Sequence, residues 1–106
     1  MTMSWDEMHD HGRMMAPGGM LLAETMADHL EVGSASRVLD LGCGRGQTSV
    51  MLARRFGCDV ASLDLWIGAD ERRKLASDAG LTDLICCLQG DIRRGLPEGI
   101  GSFDAI

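Results

Sequence analysis

Three glycines at alternate positions, Gly42, Gly44 and Gly46, follow a short apolar run that begins at Val38. A stretch of helical composition comes directly after them. A strand, a glycine turn and a helix in this order let the backbone approach a bound molecule closely, because glycine has no Cβ and tolerates positive φ. The first N–H groups of the helix would face the same space. We therefore predict a ligand site at this turn, with an ordinary strand-to-helix turn as the alternative.

The acid that precedes the turn, Asp40, limits the kind of ligand. Dinucleotide-binding turns follow the pattern G-x-G-x-x-G and hold a pyrophosphate at the helix N-terminus. Here the third glycine comes one residue early, and the negative charge of Asp40 opposes a pyrophosphate. A cationic or zwitterionic ligand suits this acid better. Cys43 lies inside the turn, but the sequence places no base beside it to activate the thiol.

A second acid, Asp64, ends the next apolar run, which begins at Asp59. The two runs and the helix between them form a βαβ unit, so the strands should be parallel. Asp64 and the glycine turn would then meet at the carboxyl edge of the sheet, where open α/β sheets bind ligands. A carboxylate at that edge can accept both hydroxyls of a ribose. A helix cap or a solvated acid is the alternative role.

The stretch Val38-Leu39-Asp40-Leu41-Gly42-Cys43-Gly44-Arg45-Gly46 closely resembles the first motif of the class I S-adenosylmethionine-dependent methyltransferases. In that family this motif holds the methionine part of the cofactor, and the acid that ends the second strand holds its ribose. An acid after the third strand meets the adenine amino group, and Asp91 stands at that position. An apolar side chain, here Leu65, can lie against the adenine ring, and the N–H of Ile92 can serve a ring nitrogen. The resemblance thus implies S-adenosyl-L-methionine as cofactor, held by Asp40, Gly42, Cys43, Gly44, Gly46, Asp64, Leu65, Asp91 and Ile92.

The reaction that the resemblance implies is direct displacement, in which a substrate nucleophile attacks the methyl carbon on the sulfonium. The enzyme contributes chiefly proximity and orientation. The net charge of −6 favours a small-molecule acceptor over nucleic acid. Accordingly, the basic clusters at residues 54–55, 72–74 and 93–94 are expected to be solvated. A cofactor-binding or interaction module without catalysis is one alternative, and an NAD-type oxidoreductase is another. No catalytic residue is identified, and three roles stay open for Trp66: contact with the adenine ring, packing in the core, or contact with a substrate.

The apolar pattern predicts an α/β fold, a Rossmann-like parallel sheet of three strands plus a fourth-strand stub, with flanking helices. We predict strands at residues 38–41, 59–64 and 84–89, the stub at 103–106, and helices at 17–30, 49–56 and 69–79. Residues 1–36 would form an N-terminal helical segment, and residues 37–106 the first half of the cofactor-binding domain. The methionine-rich first helix either packs on the sheet or serves as a lid over a small-molecule pocket.

The composition is that of an ordinary soluble globular chain, with 106 residues of which 45% are hydrophobic. No apolar run is long enough to span a membrane, and the N-terminus lacks the pattern of a secretory signal, so we expect a cytoplasmic protein without membrane contact. Its cysteines would then be reduced, with adjacent Cys86 and Cys87 on opposite faces of a strand. The cluster His9-Asp10-His11 lacks further ligands at useful spacing, so no metal site is expected.

The resemblance runs from about Arg37 to the last residue and covers only the first half of the family's core sheet. In the family the strand at 38–41 is central and paired on both sides, whereas here its outer neighbour is at best the stub at 103–106. Unpaired N–H and C=O groups on an apolar strand edge are costly and attract another strand. We therefore expect the isolated chain to self-associate through this edge, or to be marginally stable and aggregate. Because the acceptor-side half of the core is missing, we also expect no methyl transfer by this chain alone.

Overall fold

The structure is a computed structural model that describes residues 18–106. The predictions for His9, Asp10 and His11, and for the beginning of the N-terminal segment, lie outside the described residues. The elements are α1 (Gly19–His29), β1 (Arg37–Leu41), α2 (Gln47–Phe56), β2 (Asp59–Asp64), α3 (Ala69–Asp78), β3 (Ile85–Gln89) and a short 3-10 helix (Ile92–Arg94). The predicted helices and the three full strands are all present, and their bounds agree to within two residues. None of the helices between residues 18 and 106 has the length and hydropathy that crossing a bilayer requires.

The three strands form a parallel sheet in the order β1-β2-β3, which confirms the predicted βαβ connection. The predicted fourth-strand stub is reduced to a single parallel bridge between Val38 and Ala105. The reason lies in the backbone, because the N–H groups of Asp104 and Ala105 both donate to the carbonyl of Arg37, at 2.8 and 3.4 Å. The segment therefore bends at Asp104, directly before the bridge.

All three helices pack on one face of the sheet. Side chains that alternate along the strands point to this face, and residues of every helix bury them. The resulting core contains Met20, Ala27, Val38, Val50, Met51, Leu52, Ala53, Cys58, Val60, Ala69, Ala76, Ile85 and Cys87. On β3, Cys87 is buried in this core and Cys86 is exposed on the opposite face, which confirms their predicted orientations.

The opposite face of the sheet is covered by the segment that follows the 3-10 helix. Leu39, Ala61 and Leu63 are buried there against Ile100 and Phe103. Arg37 fastens this segment. Its Nη1 donates to the Ser102 carbonyl at 2.7 Å and its Nη2 to the Ile100 carbonyl at 2.9 Å. Its guanidinium also lies over the Phe103 ring, 4.9 Å from the centroid.

The first described helix, α1, buries only part of its apolar surface. Met20 and Ala27 are buried against α2, whereas four other apolar side chains of the segment stay exposed: Leu21, Leu22, Met26 and Leu30. Met26 and Leu30 face the outer side of β1 across a groove of about 330 Å³. Leu41 and Ile106 also line this groove.

Candidate cofactor site

The glycine turn and the end of β2 meet at the carboxyl edge of the sheet. The backbone N–H of Gly44 donates to Oδ2 of Asp64 at 2.9 Å. The N–H groups of Gly42 and Cys43 both donate to the Leu63 carbonyl, at 2.8 and 3.2 Å. Two motifs that the sequence places on neighbouring strands are thus in direct contact, and their role in binding stays a prediction.

The carboxylate of Asp64 is held by three backbone N–H groups. Besides Gly44, Trp66 and Ile67 donate to its Oδ1 at 2.8 and 2.9 Å. Partial burial would raise the pKa of Asp64, but these three hydrogen bonds and the charge of Arg72 outweigh burial and bring the pKa below its ordinary value. An ionised carboxylate offers about four acceptor positions, so about one remains on Oδ2. Asp64 can accept one ribose hydroxyl as it stands, and a second if one N–H gives way.

Gly42 and Gly46 differ in what surrounds the position of a side chain. Both have positive φ, 70° and 91°. A Cβ on Gly42 would meet nothing within 4 Å, so that side of the turn is open to a ligand. A Cβ on the buried Gly46 would lie 3.1 Å from Cγ of Arg72. The third glycine of the motif therefore makes room for an arginine of the protein itself.

Asp40 anchors the beginning of α2. Oγ of Ser49 donates to its Oδ2 at 2.6 Å, and Asp40 lies beside Ser62 in the sheet register, on the face that carries the helices. Burial raises the pKa of Asp40, opposed by the Ser49 hydrogen bond and the charge of Arg72. In this position Asp40 holds the first turn of α2 beneath the glycine turn, and its role in cofactor binding stays a prediction.

Asp91 is bound by its neighbour Arg93. Nη2 of Arg93 lies 2.6 Å from Oδ2 of Asp91, and Nε donates to both carboxylate oxygens at 2.9 and 3.0 Å. The Arg93 N–H adds a fourth contact that caps the 3-10 helix. The Arg93 side chain, with this backbone hydrogen bond, lowers the pKa of Asp91. An adenine amino group would share this carboxylate with Arg93.

Apolar side chains stay exposed beside these acids. Leu65 follows Asp64 and is 38% exposed, and Ile92 follows Asp91 and is 43% exposed. Trp66 is 85% exposed, so of the three roles left open by the sequence, packing in the core is wrong. This edge of the sheet therefore combines backbone N–H groups, carboxylates and exposed apolar surface.

Cys43 is unsuited to nucleophilic chemistry in this environment. Burial raises the pKa of its thiol to about 11, with Arg72 partly opposing the shift. The thiol is thus neutral at physiological pH, and the thiolate is the reactive form. In the part of the chain that the structure describes, no three His, Cys, Asp or Glu side chains converge to hold a metal ion.

Arg72 is the residue of this site that sequence reasoning missed. The prediction that the basic cluster at 72–74 is solvated is wrong for Arg72, which is only 2% exposed. The helical period contained the signal, because Arg72 is spaced with Ala69 and Ala76 along the buried face of α3. This spacing did not lead to a prediction of burial, because an arginine is seldom fully buried.

A comparison with known protein families shows which family the chain belongs to. A family model described as a methyltransferase domain matches residues 38–106, which span β1, the glycine turn and everything after it. The chain belongs to this methyltransferase family. The match confirms the resemblance that the glycine-rich motif carries to S-adenosylmethionine-dependent methyltransferases.

Curated relatives of this methyltransferase domain are considerably longer. The geranyl diphosphate 2-C-methyltransferase of Streptomyces ambofaciens is 50% identical over 44 residues, which are 41% of this chain and 15% of the relative. The glycine/sarcosine/dimethylglycine N-methyltransferase of Actinopolyspora halophila is 33% identical over 84 residues, 78% of this chain and 15% of the relative. The methyltransferase chain thus aligns with only a small part of each.

A solved methyltransferase structure has the same fold. The RNA methyltransferase from Salinibacter ruber, determined in complex with S-adenosyl-L-homocysteine, superimposes with a TM-score of 0.67 at 25% identity. The superposition covers 77% of this methyltransferase chain and 53% of that chain. It confirms the Rossmann-like arrangement of three parallel strands with flanking helices.

Proposed function

We propose that this chain is the cofactor-binding part of an S-adenosylmethionine-dependent methyltransferase whose methyl acceptor is a small molecule. The observation that carries the proposal is the contact between the glycine turn and Asp64 at the carboxyl edge of the sheet. Membership in the methyltransferase family and likeness to a complex with S-adenosyl-L-homocysteine support the same cofactor.

The residues at this edge suit the parts of that cofactor. The open side of Gly42 admits the methionine part, and the ionised Asp64 accepts a ribose hydroxyl. Leu65 and Ile92 offer apolar surface to the adenine ring. When bound, S-adenosyl-L-methionine supplies an electrophilic methyl group on its sulfonium. The chain's own residues bind and orient this cofactor. Orientation lowers the activation barrier of methyl transfer, because an encounter in solution becomes a reaction between aligned groups.

The names of the curated relatives support a small-molecule acceptor. One is named for geranyl diphosphate and another for glycine and its N-methylated forms. The RNA methyltransferase with the same fold leaves nucleic acid as the competing class, and the net charge of −6 opposes it. Four free cysteines suit a reducing compartment, so we place the protein in the cytoplasm.

Calorimetric titration tests the cofactor. S-Adenosyl-L-homocysteine and NADH are titrated separately into the purified chain, and we expect saturable heat from the first and none from the second. Binding of NADH alone would support an oxidoreductase. Absence of binding by both would favour an interaction module without a nucleotide cofactor.

A second role rests on the outer edge of β1. Among residues 18–106 this edge has a single bridge, to Ala105, and the apolar groove that includes Met26, Leu30, Leu41 and Ile106 lies beside it. An apolar strand edge favours pairing with another strand. We propose that the isolated chain self-associates there, independently of the cofactor.

A further inference from the structure

The side chain of Arg72 reaches from α3 into the layer between the helices and the sheet. Its Nη1 donates to the carbonyl and to the Oγ of Ser62 at 2.7 and 2.8 Å. Its Nη2 donates to the Leu88 carbonyl and, at 3.4 Å, to the Ile67 carbonyl. One buried guanidinium thus binds three separate segments of backbone.

Each of these three segments leads directly into the proposed cofactor site. Ser62 lies two residues before Asp64 on β2. Ile67 belongs to the turn whose N–H groups hold Oδ1 of Asp64. Leu88 lies on β3, three residues before Asp91. Arg72 therefore links the ends of β2 and β3 to the turn after β2 through their backbone carbonyls.

The fourth segment that Arg72 touches is the glycine turn. A Cβ on Gly46 would lie 3.1 Å from Cγ of Arg72 and 3.4 Å from its Cδ, so the turn closes directly on the arginine stem. The glycine that ends the motif is thereby fitted to this side chain. Arg72 thus contacts four segments of the proposed site: the turn after β1, the end of β2, the turn after β2 and the end of β3.

Packing alone does not account for an arginine here. An apolar side chain of similar length would fill the space without the cost of removing a charge from water. The guanidinium provides what such a side chain lacks, namely several donors in a fixed planar arrangement. The charge of Arg72 also acts on the groups above it, where it favours the ionised forms of Asp40, Asp64 and Cys43.

We propose that Arg72 is a positioning residue for cofactor binding, which sets the geometry of the Asp64 carboxylate through the backbone carbonyls of Ser62, Ile67 and Leu88. This inference rests on the proposed function as far as the ligand is concerned. The hold of Arg72 on the turn after β2 is a property of the protein without ligand and is measured separately.

Three variants of the chain test the proposal. Arg72→Met removes the donors and keeps the length of the side chain, and Arg72→Lys keeps the charge with a single donor group. Arg73→Met is the matched control, because Arg73 is the next residue, is largely exposed, and donates to a β3 carbonyl, that of Cys87, at 3.2 Å. For each variant, amide hydrogen exchange is followed residue by residue, and the dissociation constant for S-adenosyl-L-homocysteine is measured by calorimetry.

For Arg72→Met we expect exchange at the Trp66 and Ile67 amides to accelerate at least about 10-fold. Without the Arg72 donors the turn after β2 should open locally more often, and local opening does not require global unfolding. The Gly57 amide, at the far end of α2, should change less than about 2-fold. Binding of S-adenosyl-L-homocysteine should weaken at least about 10-fold, which corresponds to the loss of one charged hydrogen bond. Arg72→Lys should fall between, and Arg73→Met should match the unaltered chain.

Uniform acceleration at all amides, or unchanged binding by Arg72→Met, would overturn the proposal and leave Arg72 a purely structural residue. If Arg72→Met does not fold, Arg72→Lys and Ser62→Ala decide, since Ser62→Ala removes one acceptor and should accelerate the same two amides. Equal exchange in both of these variants and the unaltered chain would refute the proposal. If the unaltered chain does not bind S-adenosyl-L-homocysteine, the proposed function fails, and the exchange at Trp66 and Ile67 still decides the role of Arg72.

Discussion

Gly44 donates its backbone N–H to the carboxylate of Asp64 at 2.9 Å, across 20 residues of sequence. The donor belongs to the turn after β1 and the acceptor to the end of β2. The two turns that face the proposed cofactor are therefore fixed to each other before any ligand arrives. A change at either partner alters both turns, and the predictions for this site follow from that coupling.

Replacing Asp64 by alanine should weaken binding of S-adenosyl-L-homocysteine about 10- to 100-fold, since a hydrogen bond to a charged group contributes about 1.5–3 kcal/mol. Calorimetry measures the change. Asp59→Ala is the control, because Asp59 is an exposed acid at the opposite end of the same strand. An Asp64→Ala variant with the dissociation constant of the unaltered chain would remove Asp64 from the site.

The two acids at the ends of β1 and β2 should affect stability with opposite dependence on pH. The pKa of Asp64 is lowered on folding, so its ionised form stabilises the protein above its ordinary value of 3.8, and this contribution is lost as the pH falls through the lowered pKa. The pKa of Asp40 is raised on folding, so its contribution is present at low pH and is lost as the pH rises through the raised pKa.

Urea unfolding between about pH 3 and pH 7 separates these effects. Relative to the unaltered chain, Asp64→Asn should be less stable at pH 7, with a deficit that shrinks towards pH 3. Asp40→Asn should gain relative stability as the pH rises over the same range, because the unaltered chain then carries a buried charge. Difference curves with the same slope for both variants would contradict this assignment.

The thiol of Cys43 should be slow to alkylate. With a pKa of about 11 against 9.0 for an ordinary cysteine, its thiolate fraction near pH 8 is about 100-fold smaller. Iodoacetamide labelling, followed for each cysteine by mass spectrometry, should modify the exposed Cys86 first. Labelling of Cys43 should rise steeply only as the pH approaches 11. Labelling of Cys43 at pH 8 as fast as that of Cys86 would show a reactive thiol.

A charge at the outer edge of β1 should reduce self-association. Leu41 is 43% exposed and lines the groove beside that edge, so Leu41→Lys places an ammonium where a second strand would pair. Light scattering over a range of concentrations measures the mass. Leu96→Lys is the control, since Leu96 has similar exposure, 37%, in a loop away from the groove. A stable monomer for the unaltered chain at high concentration would refute self-association.

The strands and helices could be predicted because they depend on local patterns. Apolar runs bounded by glycine define β1 and β2, and Gly57 ends α2 in the left-handed conformation, as helix-ending glycines commonly do. The contact between Gly44 and Asp64 follows from parallel strands that end at one edge. This part of the site requires only the order of the elements.

The role of single side chains could not be predicted in the same way. Whether Arg72 is solvated or buried depends on which face of α3 meets the sheet, and Asp91 could meet Arg93 only once the 3-10 helix had formed. The reduction of the predicted stub to a bridge depends on two N–H groups that share the Arg37 carbonyl. These outcomes are set by three-dimensional packing, which composition and periodicity leave open.

The binding of Arg37 to the segment that covers the second sheet face has a kinetic consequence. Its partners Ile100, Ser102 and Asp104 lie 63, 65 and 67 positions further along the chain. At a synthesis rate of about 5–20 residues per second, this segment leaves the ribosome on the order of 3–13 s after β1. Until then Ile100 and Phe103, which cover Leu39, Ala61 and Leu63 in the described part of the chain, are not yet available. The nascent chain thus exposes an apolar sheet surface for several seconds, and such a surface is the kind that chaperones protect during synthesis.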